Sequence, residues 1–239
     1  MYIKILFNSD AVSKDLSVGW GFSCLVNDNI LFDTGEKAEM LAHNLDALKI
    51  DFSRISDVVI SHDHWDHTGG LEAVLKGKAK LNVYGCPGFS SGLKDKVRSL
   101  GARFIENSDI QKIANGVFVT GEIMGAYKGQ PMAEQALVLD VPQGLIVITG
   151  CAHPGIVEII TRVGRKFQDK ALYAVLGGFH LMHMSQGGID AIVQTFLALG
   201  VQKVGPTHCT GTEAINAFKK IYNNNNFYPL RVGETWEVS

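Results

Sequence analysis

The chain has 239 residues, of which 46% are hydrophobic and 19% are charged, a composition that excludes a disordered or fibrous protein and allows one substantial core. Its formal net charge is only -2 and its lysines and arginines form no basic run, so the composition gives no sign of a nucleic-acid partner. The start "MYIKILFNSD" is too short in apolar residues for a secretion signal, and no apolar run approaches the roughly 20 residues that span a bilayer, so a cytoplasmic protein with no membrane partner is expected.

Short apolar, β-branched runs recur along the whole chain and predict many strands of about five residues. In chain order they are YIKILF, FSCLV, NILFD, DVVIS, LNVYG, VFVT, ALVLDV, GLIVIT, ALYAVLG and KVGPT. Helical stretches lie between some of them. The clearest is SQGGIDAIVQTFLALG, in which Ile189, Ile192, Val193, Phe196 and Leu197 fall three and four residues apart and predict one apolar stripe that faces a sheet.

The order of these elements predicts an α/β protein with a mixed sheet system covered by helices. Hairpin-like strands followed by strand-loop-helix units occur around residues 20–80 and again around 117–220. We therefore predict a single domain over residues 1–239 with two similar halves, about 1–125 and 126–239. The segment GEIMGAYKGQPM, residues 121–132, is the expected connection between them.

Six of the eight histidines come directly after a predicted strand. They are His62, His64, His67, His153, His180 and His208, and the strand NILFD delivers Asp33 to the same kind of position. Loops that leave several strands at one edge of an α/β sheet can converge on a single ligand site. The sequence therefore predicts that these side chains meet.

The motif SHDHWDHTGG, residues 61–70, predicts two metal half-sites. His62 and His64 are two residues apart, so on an extended segment both rings point to the same side and can hold one ion. Asp66 and His67 follow a turn and can reach a neighbouring ion, and His153 and His208 would complete three ligands on each.

Imidazole and carboxylate ligands suit zinc first, with manganese or iron(II) as alternatives. Two open-site ions about 3.5 to 4 Å apart would lower the pKa of a bridging water and polarise a carbonyl or phosphoryl oxygen.

Three other residues near or outside these motifs have alternative interpretations. Asp33 could instead cap a helix at DTGE. His43 is expected to be structural, and Cys209 is expected to be a buried reduced thiol rather than a ligand.

The motif HDHWDH has the His-x-His-x-Asp-His form and resembles the metallo-β-lactamase superfamily, as do LFDTG, GCAHPG, GGFH and GPTHCTG in their order along the chain. The resemblance implies a four-layer αβ/βα sandwich with a dinuclear site at its edge. It implies that His62, His64 and His153 hold the first metal and that Asp66, His67 and His208 hold the second. Asp33 would steady a ligand histidine.

One position departs from the usual pattern of that superfamily. His180 stands where most hydrolytic members have an aspartate that bridges both metals, and a neutral imidazole offers a single lone pair. Three alternatives follow: the second metal binds more weakly, His180 binds one metal only, or His180 acts as a catalytic acid or base. His183 could line the pocket or pack against it.

The combination of LFDTG, GGFHL and GPTHCTG is similar to the branch related to the archaeal dihydropterin ribofuranosyl-aminobenzene phosphate synthase. The first hypothesis is a hydrolase in which a metal-bound hydroxide, oriented by Asp66, cleaves a small ester, phosphoester or lactone. The alternatives are a synthase-like transferase, and an iron-loaded redox or non-catalytic metal-binding protein. The expected partner is a small molecule, phosphate-bearing or pterin-like, and the oligomeric state stays open. Tyr127 and Lys128 are candidate pocket residues.

Overall fold

Two large β-sheets form the centre of the molecule in the computed structural model, which describes residues 1–76 and 81–238. The strands are β1 (Tyr2–Phe7), β2 (Ser23–Val26), β3 (Ile30–Phe32), β4 (Asp57–Val59), β5 (Asn82–Gly85), β6 (Arg103–Glu106), β7 (Gln111–Ala114), β8 (Val117–Val119), β9 (Ile123–Tyr127), β10 (Gln130–Glu134), β11 (Leu137–Val141), β12 (Gly144–Thr149), β13 (Leu172–Gly178), β14 (Lys203–Thr207) and β15 (Thr235–Glu237).

Within the described residues, the helices are α1 (Ala38–Ala47), α2 (Trp65–Thr68), α3 (Leu71–Leu75), α4 (Ser91–Ser99), α5 (Ile156–Lys166), α6 (Gln186–Ala198) and α7 (Thr212–Asn226). Two short 3-10 helices span Phe52–Arg54 and His208–Thr210. In α6, Ile189, Val193 and Phe196 are buried as the apolar stripe predicts, whereas Leu197 is exposed, so its inclusion in that stripe is wrong. No helix in the described part of the chain is long and apolar enough to cross a membrane.

Each large sheet is antiparallel on one side and parallel on the other. The first has the order β15-β1-β2-β3-β4-β5-β6, and its strands from β3 to β6 run parallel. The second has the order β14-β13-β12-β11-β8-β7, and β12, β13 and β14 run parallel. The segment predicted as a connection forms a separate hairpin of β9 and β10. The division into two similar halves stays a prediction.

Strand β12 shows why the sheets stack into layers. Its side chains alternate between the two faces of the sheet. Ile146 and Ile148 lie in the apolar cluster between the two sheets, whereas Leu145 and Val147 lie in the cluster under α5, α6 and α7. Both faces are thus buried, which explains why this strand reads as one continuous hydrophobic run.

The first sheet is covered in the same manner by α1, α3 and α4. Leu41 and Leu45 of α1, Val74 of α3 and Val97 of α4 pack in a third cluster with the outer face of that sheet. The order of layers is therefore helix, sheet, sheet, helix. The predicted α/β class and the four-layer αβ/βα sandwich are confirmed.

Candidate metal centre

The six predicted histidines leave the carboxyl ends of parallel strands at one edge of the sandwich. His62, His64 and His67 follow β4, His153 follows β12, His180 follows β13 and His208 follows β14. Gly150 allows the loops after β4 and β12 to approach closely, because a Cβ atom there would lie 2.0 Å from Ser61 Oγ and 2.8 Å from Asp33 Oδ2. The strand ends thus converge as the sequence predicts.

One group of ligand atoms comes from His62, His64 and His153, and all of these atoms lie within 4.8 Å of one another. His62 Nε2 is 3.1 Å from His64 Nδ1. Four ligands arranged tetrahedrally around zinc at about 2.0–2.1 Å lie about 3.3 Å apart. The spacing of these two ring nitrogens therefore fits a pair of ligands to one such ion.

A second group comes from Asp66, His67 and His208. Asp66 Oδ2 lies 3.2 Å from His208 Nε2 and 3.4 Å from His67 Nε2, and the two histidine nitrogens are 3.3 Å apart. These three distances describe an almost equilateral triangle. It matches one face of a zinc coordination tetrahedron, whose edges are about 3.3 Å, so this donor set also fits a divalent metal ion.

Asp33 lies behind both groups and fixes the orientation of their rings. His67 Nδ1–H donates to Asp33 Oδ2 at 2.6 Å, and the backbone N–H and hydroxyl of Ser61 donate to the two carboxylate oxygens, each at 2.7 Å. Because the single Ser61 hydroxyl proton goes to Asp33, His62 Nδ1–H must donate to Ser61 Oγ, 2.9 Å away. Nε2 of each ring is then the nitrogen that faces the centre as a potential ligand atom.

The structure decides between the two sequence-based interpretations of Asp33. Helix α1 begins at Ala38 with Lys37 as its N-cap residue and no side-chain cap, so the alternative in which Asp33 caps this helix is wrong. Asp33 is fully buried and bonds to residues of the histidine motif instead.

Glu134, at the end of β10, is a site residue that the sequence analysis missed. Its carboxylate accepts His153 Nδ1–H at 2.8 Å and the backbone N–H groups of Cys151, Ala152 and His153 at 3.0, 2.7 and 2.8 Å. It therefore holds both the ring of His153 and the loop that carries it. No local sequence signal marks this role, because Glu134 lies between the segment 121–132 predicted as a connection and the strand predicted next, ALVLDV.

Hydrogen bonds from histidines keep the carboxylates of Asp66 and Glu134 charged, whereas burial raises the pKa of Asp33. Burial would raise the pKa of Asp66, but hydrogen bonds from His208 and His67 outweigh it and hold the pKa below its ordinary value. Burial would likewise raise the pKa of Glu134, but the hydrogen bond from His153 lowers it. These anions offset part of the charge of a bound cation.

The two buried histidines His62 and His67 differ in protonation. Burial, together with the positive charge of neighbouring histidines, lowers the pKa of His62 well below its ordinary value, so this ring is a neutral potential ligand. Burial would also lower the pKa of His67, but the carboxylate of Asp33 outweighs it and raises the pKa to about 10. A metal ion must therefore displace a proton from His67 in order to bind there.

His180 lies at the mouth of the centre, outside both triplets. Its side chain is exposed and its ring centroid is 4.5 Å from that of His153. A hydrogen bond with Cys209 raises the pKa of His180. The ring of Tyr127 lies 4.7 Å from that of His64 and 6.1 Å from that of His180, and covers the same opening.

A cavity of about 470 Å³ opens beside this mouth and contains several predicted pocket residues. Its lining includes Tyr127, Lys128, His180, His183 and Trp20. The cavity is thus in contact with the histidines and carries a lysine. His43 lies elsewhere, where its Nε2 contacts the carbonyl oxygen of Asp15 at 2.7 Å.

The four cysteines are free thiols and all are buried. Cys151 was not predicted to belong to the site, yet its Sγ lies 3.4 Å from His67 Nε2. Burial raises the pKa of the Cys151 thiol well above its ordinary value. Cys209 donates from Sγ to the carbonyl oxygen of Cys151 at 3.5 Å, and it belongs to none of the potential ligand groups in the described part of the chain.

Two known proteins are similar to this chain over most of its length, one in sequence and one in structure. A relative from Methanocaldococcus jannaschii, 7,8-dihydropterin-6-methyl-4-(beta-D-ribofuranosyl)-aminobenzene-5'-phosphate synthase, is 29% identical, and the alignment covers 87% of this chain and 84% of that protein. The crystal structure of Tm1679, a metal-dependent hydrolase of the β-lactamase superfamily, superposes with a TM-score of 0.82 and 29% identity over 100% of this chain and 99% of that one.

A more distant structure shares only the fold. The short form of human tRNase Z covers the full chain with a TM-score of 0.63 and 13% identity. The sequence model of the metallo-beta-lactamase superfamily matches residues 23–186, which include the histidine motif, His153 and His180. Together with the fold and the histidine centre, this match shows that the chain belongs to the metallo-β-lactamase superfamily.

Proposed function

We propose that this protein is a metal-dependent hydrolase that cleaves a small ester, phosphoester or lactone at a dinuclear centre. His62, His64 and His153 would hold one metal ion, and Asp66, His67 and His208 would hold the other. The observation that carries the proposal is the pair of adjacent donor groups, each with ligand atoms within 4.8 Å of one another. Zinc is the expected metal, with manganese or iron(II) as alternatives.

The residues behind the donors support binding of an ion rather than a chance cluster. Asp33 and Glu134 each accept a hydrogen bond from Nδ1–H of one histidine, which turns Nε2 of that ring toward the centre. When bound, two divalent ions supply a Lewis acid and an acidified water. The burial of His62, His67 and Asp66 keeps bulk water from competing for these positions.

The protein's own residues would position the substrate and move the proton. Asp66 is charged and would orient the attacking water by accepting a hydrogen bond from it. His180 lies at the mouth, and its raised pKa favours the protonated form that can donate to a leaving group. The adjoining cavity of about 470 Å³ with Lys128 and His183 suits a small anionic substrate.

A synthase-like transfer is a second candidate, because the archaeal relative that covers most of this chain bears the name of a synthase that makes an aminobenzene phosphate compound. In such a reaction the same cavity would hold a phosphate-bearing or pterin-like substrate, and a nitrogen or carbon nucleophile would replace water. Lys128 in the cavity is compatible with a phosphate group. In both cases we expect a small-molecule substrate and a cytoplasmic location.

Turnover in ¹⁸O-labelled water separates the two candidates. The zinc-loaded protein is incubated with model phosphodiester, carboxyl ester and lactone substrates, and separately with a dihydropterin diphosphate and an aminobenzene partner. The hydrolase predicts cleavage with ¹⁸O in the product, and the metal-free protein and His208→Ala serve as controls. Condensation without ¹⁸O uptake, combined with no cleavage of any ester, would contradict the hydrolase and support the transferase.

Metal analysis of the purified protein tests the remaining alternative. Two zinc ions per chain with no visible absorption would support the proposed centre. Iron with a visible spectrum that responds to reductants would support an iron-loaded redox protein instead. Bound metal without turnover of any substrate would favour a non-catalytic metal-binding protein.

A further inference from the structure

The thiol of Cys151 lies beside one donor group of the centre and close to His153 of the other. Its Sγ is within 4.8 Å of the ligand atoms of Asp66, His67 and His208, and in a separate group it is within the same distance of those of His153 and His180. In the described part of the chain, Cys151 and His153 are the two residues that each occur in two of the potential ligand groups. The Cys151 thiol is thus close to all three ligand atoms of one donor group and to the His153 ligand atom of the other.

The surroundings of Cys151 differ from those of an ordinary core cysteine. Cys24 and Cys86 lie within the apolar clusters of the sandwich. Cys151 instead faces the imidazole of His67 at 3.4 Å, and its backbone N–H is tied to Glu134. The same carboxylate that orients His153 therefore also fixes the loop that carries the thiol.

The position of His180 leaves a chemical role unfilled. A single imidazole lone pair cannot join two metal ions, and this exposed side chain lies at the mouth of the centre. A thiolate has the negative charge of the missing carboxylate and several lone pairs, and sulfur is a favoured zinc ligand at about 2.3 Å. Among the four buried cysteines, Cys151 belongs to potential ligand groups of the described residues, so it can supply these properties.

We propose that the Cys151 thiolate bridges the two metal ions and takes the place of a bridging carboxylate. On metal binding the Sγ–H bond breaks, its proton passes to water, and Sγ forms a bond to each ion with no change in oxidation state. The inference rests on the dinuclear centre of the proposed function but not on the reaction catalysed. A thiolate bridge would give the centre a softer ligand than a carboxylate, and the binding of the two ions would depend less on His180.

Cobalt(II) titration tests the bridge without any substrate. The metal-free full-length protein, Cys151→Ser and Cys209→Ser are titrated with up to two equivalents, and the near-ultraviolet thiolate-to-cobalt charge-transfer band is recorded. We expect the band in the wild type, with a further change during the second equivalent because both ions contact sulfur. Cys209→Ser is the matched control because it removes a neighbouring buried thiol that belongs to no ligand group.

We expect Cys209→Ser to keep the band and Cys151→Ser to lose it. An unchanged band in Cys151→Ser would overturn the proposal, and a band that is complete after one equivalent would overturn the bridge. If the wild type binds no cobalt, the proposed dinuclear centre itself is wrong. Binding of two ions without any thiolate band would overturn only the role of Cys151.

A second measurement uses the wild-type protein alone, in case Cys151→Ser does not fold. X-ray absorption of the protein loaded with two zinc ions should require a zinc–sulfur distance of about 2.3 Å. In parallel, alkylation of Cys151 by iodoacetamide, followed by peptide mass spectrometry, should become slower by at least tenfold after zinc loading. Absence of sulfur from the zinc environment would overturn the proposal.

Discussion

The carboxylate of Glu134 accepts Nδ1–H of His153 at 2.8 Å, and both side chains are only 1% exposed. The same carboxylate accepts three consecutive backbone N–H groups, those of residues 151 to 153. One side chain thus fixes the ring, the tautomer and the supporting loop of a proposed ligand. Replacement of such a partner typically costs about 10–100-fold in metal affinity.

We therefore expect Glu134→Gln to lower the affinity for the zinc ion held by His62, His64 and His153 by about 10–100-fold. The amide has one acceptor oxygen where the carboxylate has two, and it lacks the negative charge. Competition with a chromophoric chelator measures the change. Glu122→Gln is the matched control. Glu122 immediately precedes the hairpin that contains Glu134 and likewise accepts a backbone N–H, that of Gly88, but it contacts no member of the centre. Equal affinities in the two variants would contradict the assigned role.

Asp33 is expected to support both donor groups, because it binds His67 directly and His62 through Ser61. We expect Asp33→Asn to lower the affinity for each of the two zinc ions by about 10–100-fold. Ser61→Ala should lower the affinity only for the ion held by His62, since the variant leaves the hydrogen bond between Asp33 and His67 in place. Isothermal titration of the metal-free proteins resolves the two binding steps.

The control for the Asp33 network is Asp57→Asn. Asp57 lies at the start of β4, and its carboxylate accepts the Ser56 hydroxyl and the side-chain amide of Asn82. We expect this variant to bind zinc like the wild type. Suppose that Ser61→Ala lowered the affinity for both ions as strongly as Asp33→Asn does. The hydrogen bond between Asp33 and His67 would then not explain how Asp33 supports the ion held by His67.

His180→Ala is expected to slow hydrolysis while leaving the metal content at two ions per chain. The side chain lies at the mouth and outside both triplets, and loss of a proton donor costs about 10²–10⁴-fold in turnover. Turnover number and metal content are measured on the same sample. A variant that binds a single ion would show that His180 is a ligand, and unchanged turnover would exclude a proton-transfer role.

Gly150→Ala is expected to destabilise the metal-free protein by about 1–3 kcal/mol, the usual cost of overpacking. The new Cβ would lie 2.0 Å from Ser61 Oγ and 2.8 Å from Asp33 Oδ2, so the hydrogen bonds of both residues must shift. Urea unfolding in the presence of a chelator measures the free energy of unfolding without a contribution from bound metal.

Gly164→Ala is the matched glycine control. Gly164 lies within α5, and a Cβ atom there meets nothing within 4 Å. We expect a gain of about 0.5–1 kcal/mol, because alanine loses less backbone entropy in a helix. If Gly164→Ala lost as much stability as Gly150→Ala, the contacts around Gly150 would not explain the destabilisation of Gly150→Ala.

Much of the sandwich could be predicted because its strands are short apolar runs with two buried faces. The runs at 144–149 and 203–207 match β12 and β14 at both ends. Strand β7 was missed because its residues are exposed or only half-buried and Gln111 and Lys112 interrupt the apolar pattern. Strand β15 was missed for a similar reason, since Thr235 and Glu237 are exposed.

The sequence predicts that the histidines converge, because each follows a strand and parallel strands end at a common edge. The folded chain was needed to show that Asp33 bonds to His67, that Glu134 holds His153, and that the Cys151 thiol faces His67. Cys151 and His67 lie on loops of different sheets, and Glu134 belongs to a separate hairpin. His67 and His208 likewise approach to 3.3 Å across 141 residues. Their distances depend on how the two sheets pack, and no local pattern of residues records that packing.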